Sequence, residues 1–411
     1  MDWRTIRTSR PAVKRARGRG PSITGGPHGE TTRPAPTGRR VSPAPFGPGL
    51  PPAPDGNVQR PGHPTIRDVA ARAGVSKSLV SLVMRGSPRV REEKRRAVLR
   101  AAEQLGYRPN AVARSLVRRR TNVIGVMLSD LHNLYFAEVV DGIEAETLSA
   151  GYRALINTGG RVPEREWEAI ETLLQLRTEG VIMAGTVLPS SRILATAASV
   201  PLVLVARTSR SSSVDSVAND DRAGARLAVE HLVSLGHGRI GHVDGGEGAG
   251  ARARREGFLE AMRSHGLAAG AAVARGDYTE EGGASGVDRL LARGRRPTAV
   301  FVANDLAAVG ALHALERIGL RVPDDVSVVG YDNTALAALG HINLTTIDQP
   351  KREIGGTAVR LLLERLEDGR KRARHVVVRP SLVVRGTTAP PPSRARTEPP
   401  GTGRPADPAT G

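Results

Sequence analysis

The feature that most constrains this chain is a glycine turn, centred on Gly74, between two short segments with helical periodicity. Before the turn, the apolar residues Ile66, Val69 and Ala73 recur at helical spacing. Gly74 can adopt a backbone conformation that other residues resist, and the hydroxyl of Ser76 can accept a backbone N–H at the start of a second helix. The pattern predicts a helix-turn-helix, the motif that lays its second helix in the major groove of DNA.

The second helix has an apolar and a polar face. Val80, Val83 and Met84 fall on one side at helical spacing and are predicted to point inward. The predicted outward residues, which are candidate readers of bases and phosphates, are Lys77, Ser78, Ser81, Leu82 and Arg85. The spacing alone also fits an ordinary amphipathic helix pair, so the charge distribution has to decide.

The net charge of +19 is concentrated in the first third of the chain. Residues 1–62 hold 11 basic and 3 acidic side chains, and residues 63–122 hold 15 and 4. Residues 123–411 hold 34 of each and are neutral. A cationic module joined to a neutral body is what phosphate neutralisation with counterion release requires, so the charge favours a DNA-binding function.

The composition argues against disulfide-bonded, metal-binding, secreted and membrane proteins. The chain contains no cysteine, so it has neither disulfides nor thiolate metal sites, which fits a reducing cytoplasm. His231, His237 and His242 are spaced by six and five residues, which does not pair them on one helix face, so we expect no metal site. There is no apolar run of membrane-spanning length, signal peptide pattern or lipidation signal. We expect a cytoplasmic, nucleoid-associated protein without a cofactor and without membrane contact.

The chain divides into five predicted segments. The two ends are rich in Pro, Gly and Arg and are predicted to be disordered. The N-terminal one is interpreted either as a basic arm that contacts phosphates or as a dispensable extension. A third helix is expected from Glu92 to Leu105, with Val98, Leu99, Ala102 and Leu105 facing inward. The predicted boundaries are 1–62 for the first tail, 63–108 for the helix-turn-helix domain, 109–122 for a hinge helix and linker, 123–388 for the body and 389–411 for the last tail.

Short apolar runs alternate with helical patterns throughout the body. The predicted strands are Val123 to Leu128, Ala154 to Asn157, Gly180 to Ala184, Leu202 to Ala206, Ile240 to Val243, Ala299 to Ala303 and Val326 to Gly330. The predicted helices between them are Phe136 to Ala150, Glu164 to Leu176, Ala223 to Leu235, Arg254 to His265, Ala284 to Arg293 and Asp305 to Ile318. This alternation predicts two doubly wound parallel sheets, whose ligands bind beyond the carboxyl ends of the strands.

Several motifs in order make the chain resemble the LacI/GalR family of bacterial transcription regulators over about Thr65 to Gly386. They are TIRDVAARAGVS, LGYRPNAVARSL, GVMLSD with NLYFAEVVDGIE, VEHLVSLGHGRIGHV, ARARREGF, VANDLAAVGAL and DVSVVGYDN. The resemblance implies a homodimer whose paired headpieces bind a palindromic operator. It also implies a body resembling periplasmic sugar-binding proteins, in which two lobes close on a small effector, most simply a sugar or sugar derivative.

The resemblance also implies roles for residues of the headpiece and hinge. Lys77, Ser78 and Leu82 match major-groove readers. Leu116 matches a leucine that wedges into the minor groove, and its place beside Arg114 in a marginal helix favours that role over ordinary packing against the body. The residues that match phosphate or positioning contacts are Thr65, Ser76, Ser81 and Asn110.

In the body, the resemblance implies an effector site shared by two lobes. Phe136, with Asp130 nearby, matches the wall of the first lobe, and Tyr278 matches an aromatic residue that can stack on a sugar face. The second-lobe residues that match polar effector contacts are Arg252, Asn304 and Asp332. A guanidinium, an amide and a carboxylate at strand ends can bind adjacent hydroxyls, although Asn304 can also simply cap the following helix.

The chain departs from the family pattern at three positions. Leu82 replaces a polar reader, which favours contact with a thymine methyl group over guanine recognition. Arg91 stands where a Ser or Thr usually caps the third helix. Ala206 stands where relatives often have an acidic residue that binds the sugar. Arg207 beside it leaves open the alternative that the effector is an anionic or modified sugar.

Two other functions are weighed against a regulator. The run Gly246-Glu247-Gly248-Ala249-Gly250 superficially resembles a nucleotide loop, but it lacks the P-loop Lys-Ser/Thr and a dinucleotide fingerprint, so we do not expect an enzyme. A sugar-uptake binding protein would share the body but not the basic headpiece. We therefore expect a transcriptional regulator and favour a repressor over an activator. We expect its operator affinity to change when an effector shifts the lobes.

Overall fold

The computed structural model describes residues 64–108, 120–294 and 296–392. Over these residues the chain forms eleven α-helices and twelve β-strands. Three helices form the headpiece, and the other elements form a body of two lobes, each built on a six-stranded sheet. The predicted fold class, a helical headpiece and two doubly wound lobes, is confirmed. The predicted tail at 1–62 and hinge segment at 109–119 lie outside the described residues.

The headpiece helices begin and end where local chemistry dictates. They are α1 (Ile66–Ala73), α2 (Lys77–Met84) and α3 (Glu92–Gln104). Gly74 has a φ of 62°, the left-handed conformation expected for the turn, and the Ser76 hydroxyl accepts the N–H of Leu79 at 3.2 Å. Arg91 precedes α3 without a capping hydrogen bond from its side chain. The turn predicted at Gly74 and the cap predicted at Ser76 are therefore confirmed.

The headpiece core differs from the prediction at one position of α3. Val98 and Ala102 are buried as expected, but Leu99 is 48% exposed and Ala101 is buried in its place. The face of α3 that meets α1 and α2 is therefore centred between Val98 and Ala102. The inward assignment of Leu99 was wrong because the sequence does not fix the phase of a helix against its neighbours.

The body alternates strands and helices along the chain. Its strands are β1 (Val123–Leu128), β2 (Arg153–Thr158), β3 (Gly180–Ala184), β4 (Leu202–Val205), β5 (Val214–Asn219), β6 (Ile240–Val243), β7 (Ala271–Ala274), β8 (Ala299–Val302), β9 (Ser327–Asp332), β10 (Thr345–Asp348), β11 (His375–Val378) and β12 (Ser381–Val383). Its helices are α4 (Leu134–Ser149), α5 (Pro163–Gln175), α6 (Ser190–Ser199), α7 (Asp221–Ser234), α8 (Ala251–Ser264), α9 (Glu280–Leu291), α10 (Asp305–Arg317) and α11 (Lys351–Leu366).

Each lobe buries both faces of its sheet. The first sheet has the order β11-β5-β4-β3-β1-β2 and is parallel throughout. The second has the order β12-β10-β9-β8-β6-β7, and only its edge strand β12 is antiparallel. Two apolar clusters pack on the two faces of each sheet. Helices on both faces explain why the strands read as continuous apolar runs.

The chain passes between the lobes three times, which places one edge of each sheet at a common cleft. The passages follow β5, β10 and β11 and consist of only a few residues each. The carboxyl ends of the parallel strands of both lobes meet at this cleft. This is the location that the doubly wound topology predicts for a ligand.

The structure adds elements that the sequence patterns did not predict. They are the helices α6 and α11 and the strands β5, β7, β10, β11 and β12. Ala389, the first residue of the last predicted tail, is bound to the second lobe, since its N–H donates to Ser327 Oγ at 3.0 Å and its carbonyl accepts from the same hydroxyl. Within the described ranges, none of the helices combines the length and apolar character needed to cross a bilayer.

Candidate functional site: the headpiece and the cleft between the lobes

The first turn of α2 carries exposed polar residues. Lys77 and Ser78 are exposed, and Ser81, one turn further along, is half-buried. Thr65 is the N-cap of α1, where its N–H and hydroxyl both donate to Asp68 Oδ2, at 2.7 and 2.8 Å. These hydrogen bonds lower the pKa of Asp68. The headpiece thus presents the N-terminal part of its second helix to solvent, the part that contacts bases in helix-turn-helix proteins.

Leu82 does not point freely outward as the sequence pattern predicted. It is half-buried and packs against the headpiece core. The reason is that α2 is only eight residues long and contacts both α1 and α3, so a wide arc of its surface is covered. The three hinge candidates, Asn110, Arg114 and Leu116, lie outside the described residues.

A pocket at the strand ends lies between the lobes and encloses about 510 Å³, counting its open mouth. The first lobe contributes Ser129, Asp130, Asn133, Tyr135, Phe136, Arg161, Gly185, Val187 and Ala206, and the second lobe and its connection contribute Gly248, Ala249, Arg254, Tyr278, Asp332 and Gln349.

Arg254 and Asp332 form the polar floor of this pocket. The guanidinium of Arg254 stacks on the Tyr331 ring at 3.7 Å, donates from Nε to Asp221 at 2.9 Å, and places Nη1 3.9 Å from Asp332 Oδ1. Gln349 Nε2 donates to Asp332 Oδ1 at 2.5 Å. Burial raises the pKa of Asp332 well above its ordinary value, and the charge of Arg254 offsets this only in part. The pair presents a cationic donor and an acidic acceptor to the same cavity.

Aromatic residues from both lobes face the pocket. Phe136 packs so closely on Gly185 that a Cβ there would lie 2.3 Å from Phe136 Cζ. Tyr278 donates its hydroxyl to Ala249 O at 2.7 Å, and a Cβ on Gly248 would lie 2.3 Å from the ring. The glycine-rich loop after β6 therefore makes room for an aromatic ring, which explains its composition without a nucleotide.

Two of the predicted second-lobe contacts are placed differently. The Arg252 side chain is 83% exposed, 3.9 Å from Glu256, and does not reach the pocket. Arg254, two residues further along α8, lines the pocket instead. Asn304 is buried and uses both amide atoms internally, since its oxygen accepts the N–H of Ala307 at 2.9 Å and its nitrogen donates to Tyr278 O at 3.2 Å. It caps α10 and positions Tyr278.

The first-lobe side of the pocket also carries charged residues, Asp130 and Arg161. Asp130 lines it and accepts the N–H of His132 at 2.9 Å. Ala206 lines it with a φ of 60°. Arg207 points elsewhere, because its guanidinium donates to Thr186 O at 3.1 Å and to Leu188 O at 2.6 Å. It contributes to a second, outer cavity rather than to this pocket.

The sequence patterns did not indicate several other lining residues, among them Tyr135, Arg161 and Gln349. Tyr135 is buried, and its hydroxyl has no hydrogen-bond partner among the described residues. Arg161 lines the mouth, and Gln349 holds Asp332. Tyr135 stands beside the predicted Phe136, so its position after a strand was available as a signal. Arg161 and Gln349 are in loops without a recognisable pattern.

Two of the three histidines considered as metal ligands, His237 and His242, are buried, and His231 is half-buried. His242 lies within β6, where its ring stacks on Phe301 at 4.6 Å, and burial lowers its pKa to about 4. His237 is also buried and contacts Thr298 and Ser327. Both therefore occupy the packed interior of the second lobe.

Comparison with known proteins identifies both parts of the chain. The family model for bacterial regulatory proteins of the lacI family matches residues 65–110, and the model for the periplasmic binding protein-like domain matches residues 229–388. A curated relative, the HTH-type transcriptional repressor PurR of Vibrio vulnificus, is 36% identical over 79% of this chain and 98% of its own length.

Solved structures agree with these matches. The lac repressor dimer bound to operator and the anti-inducer ONPF is 32% identical with a TM-score of 0.71, covering 79% of this chain and 99% of that one. The complex of the transcriptional regulator CelR with cellobiose is 30% identical with a TM-score of 0.59, with the same coverage. The fold and headpiece thus define a DNA-binding transcriptional regulator, not an enzyme. The chain belongs to the LacI family of bacterial regulatory proteins.

Proposed function

We propose that this regulator binds a palindromic operator as a homodimer and that a sugar or sugar derivative in the cleft controls its operator affinity. The observation that carries this proposal is the buried Arg254–Asp332 pair, which faces a pocket between the lobes. Such a regulator acts on the nucleoid in the cytoplasm, and relatives named as repressors support repression as its mode of action.

The DNA contacts proposed for the headpiece follow from exposure and charge. Lys77 and Ser78 are free to meet base edges from the first turn of α2, and Ser76 and Thr65 lie at helix starts where phosphates bind. Leu82, half-buried, would offer only its tip to a thymine methyl group. In the segment beyond Arg108 we propose Asn110 and Arg114 as backbone contacts and Leu116 as the minor-groove wedge. The lac repressor dimer bound to operator supports the dimeric arrangement.

The effector contacts proposed for the cleft follow from the unused polar atoms. Arg254 Nη2 and Asp332 Oδ2 have no hydrogen-bond partner among the residues described, although both residues line the pocket. A donor and an acceptor side by side suit adjacent hydroxyls, and Phe136 and Tyr278 supply apolar faces for a sugar ring. Asp130 is the proposed acceptor of the first lobe. The CelR–cellobiose complex supports a carbohydrate as the ligand class.

The proposed control is a shift between two arrangements of the lobes. An effector that touches both lobes binds one arrangement more tightly than the other, and this difference sets the change in operator affinity. The three short passages between the lobes are the segments at which such a rotation can occur.

A gel shift on the DNA upstream of the protein's own gene tests the proposal. Wild-type protein is titrated with a panel of sugars and sugar phosphates, and a random duplex serves as competitor. We expect preference for the upstream DNA, changed by at least one member of the panel. The double variant K77A/S78A should lose the preference, whereas the control Lys94→Ala, which removes an exposed lysine of α3, should keep it. Equal binding of both duplexes by the wild type would overturn the proposal.

A further inference from the structure

We infer that Lys351 is a positioning residue, which holds the turn carrying Asp332 so that its carboxylate faces the cleft and ties that turn to the first lobe. The inference rests on the proposed effector function of Asp332. Lys351 itself does not line the pocket, so it acts through the groups that it binds.

The turn after β9 is held in an unfavourable backbone conformation. Asp332 and Asn333 follow each other with φ values of 109° and 51°, a region that L residues rarely adopt. Two consecutive residues of this kind persist only when their surroundings fix them. The conformation matters because it sets the direction of the Asp332 side chain.

The ammonium group of Lys351 binds the backbone of this turn directly. Nζ donates to Asp332 O at 2.6 Å and to Asn333 O at 3.0 Å, and it lies 3.4 Å from Gln349 O. An ammonium has three N–H donors, so these three carbonyls use all of them. Gln349 is also the residue whose amide holds the Asp332 carboxylate. One cation therefore organises both the turn and its side-chain support.

Lys351 is buried, so its ammonium group needs partners that compensate for the loss of water. Its side chain is 3% exposed, and burial of an ammonium is unfavourable unless partners compensate. Carboxylates supply part of that compensation, since Glu138 Oε2 and Asp348 Oδ1 both lie 3.6 Å from Nζ. An apolar side chain of this length would avoid the desolvation but would leave the carbonyls of the strained turn without donors.

The same residue links the two walls of the cleft. Lys351 is the first residue of α11 in the first lobe, whereas Asp332 ends β9 in the second. Glu138 lies on α4, two residues after the aromatic wall residue Phe136. The helices α4 and α11 are in close contact, since a Cβ on Gly142 would lie 2.1 Å from Arg352 O. Lys351 thus fixes the Asp332 turn relative to the helix that carries Phe136.

The test uses full-length protein and compares Lys351→Met and Lys351→Arg with Arg352→Met as the matched control. Arg352 is the neighbouring residue and also pairs with an α4 carboxylate, Asp141 at 2.6 Å, but it does not bind the Asp332 turn. Hydrogen exchange over residues 330–336 measures the turn without any effector. Calorimetry with ribose, glucose, cellobiose and glucose 6-phosphate measures binding.

We expect K351M to speed exchange in the turn about tenfold, because its carbonyl contacts are lost, and to weaken about tenfold the binding of whichever panel member the wild type binds. K351R should restore most of the protection, and R352M should stay close to the wild type. If K351M does not fold, Lys351→Gln, which keeps two donors but no charge, is expected to show an intermediate effect.

Unchanged exchange in both K351M and K351Q, or equal effects of K351M and R352M, would overturn the inference. If the wild type binds none of the four sugars, the carbohydrate proposal fails, but the exchange measurement still decides the role of Lys351.

Discussion

Two buried carboxylates, Asp215 in the first lobe and Asp332 in the second, are treated very differently by their surroundings. Asp215 is fully buried near the amino end of β5 and accepts hydrogen bonds from Arg365, Arg370 and the N–H of Arg374. Asp332 is 3% exposed at the carboxyl end of β9, where Gln349 holds one oxygen and the other has no described partner.

The two pKa values follow this difference. Burial alone would raise the pKa of Asp215, but the two arginines and the backbone donor lower it below its ordinary value. For Asp332 burial dominates and the pKa is raised. A saturated carboxylate stabilises the fold, whereas one left unsaturated at a cleft is poised to bind something else. Similar burial of the two side chains thus accompanies opposite pKa shifts.

The largest effect is expected from breaking the saturated site. Asp215→Asn removes the charge that two arginines share, so we expect the free energy of unfolding to fall by about 3–5 kcal/mol. Urea unfolding followed by circular dichroism measures it. The control Asp141→Asn removes an exposed ion pair with Arg352 and should cost at most about 1 kcal/mol. A similar loss in both variants would contradict the comparison.

The variant Asp332→Asn should show the opposite pattern, with little loss of stability but weaker effector binding. The amide keeps the shape and can accept from Gln349, so we expect the free energy of unfolding at neutral pH to be unchanged or higher. Effector binding should weaken by about 1 kcal/mol, because the amide replaces one carboxyl oxygen, a hydrogen-bond acceptor, with a nitrogen that can only donate. Calorimetry with the sugar that shifts operator binding measures the second effect. Strong destabilisation with intact sugar binding would show that Asp332 is structural.

The pH dependence sharpens the contrast. Asp332 binds a proton more tightly in the folded state, so its contribution to stability is present below the unfolded pKa near 3.8 and is lost as pH rises through the folded pKa. Asp215 has the opposite sign, and its contribution is lost as pH falls below 3.8. Between pH 4 and neutrality, the free energy of unfolding of the wild type should fall by about 1.4 kcal/mol or more relative to that of D332N. This is the free energy equivalent to one pKa unit. A flat difference would be inconsistent with a raised pKa.

A smaller effect is expected at the second unsatisfied group of the cleft. Tyr135→Phe removes a buried hydroxyl that has no described partner, so the free energy of unfolding should rise by about 1 kcal/mol. Thermal unfolding measured without sugar checks whether the stability of the variant rises. A loss of stability would mean that the hydroxyl is hydrogen-bonded in solution.

The elements governed by local chemistry could be predicted from the sequence. The turn at Gly74, the Ser76 cap and the strands β1, β3 and β6 have the predicted positions. The strand β5 was missed because it buries Asp215, whose partners Arg365 and Arg370 are about 150 residues away. No local pattern reveals that compensation.

The cleft was predicted in its location but not in all its residues. Arg252 and Arg254 are two positions apart on a helix and therefore face different directions. Arg254 shares a helical stripe with Gly257, Phe258 and Ala261, all buried, so the periodicity of α8 indicates which of the two arginines faces inward. Gln349 and Lys351 could not be identified in this way, because their roles depend on a turn from another part of the chain.

The most direct test of the account is the fluorescence anisotropy of labelled upstream DNA with wild-type protein and D332N, each with and without the active sugar. The account predicts equal DNA affinity for the two proteins without sugar, and a sugar-dependent change of about tenfold or more in the wild type alone. An equal response of D332N to the sugar would contradict the claim that the cleft carboxylate controls the headpiece.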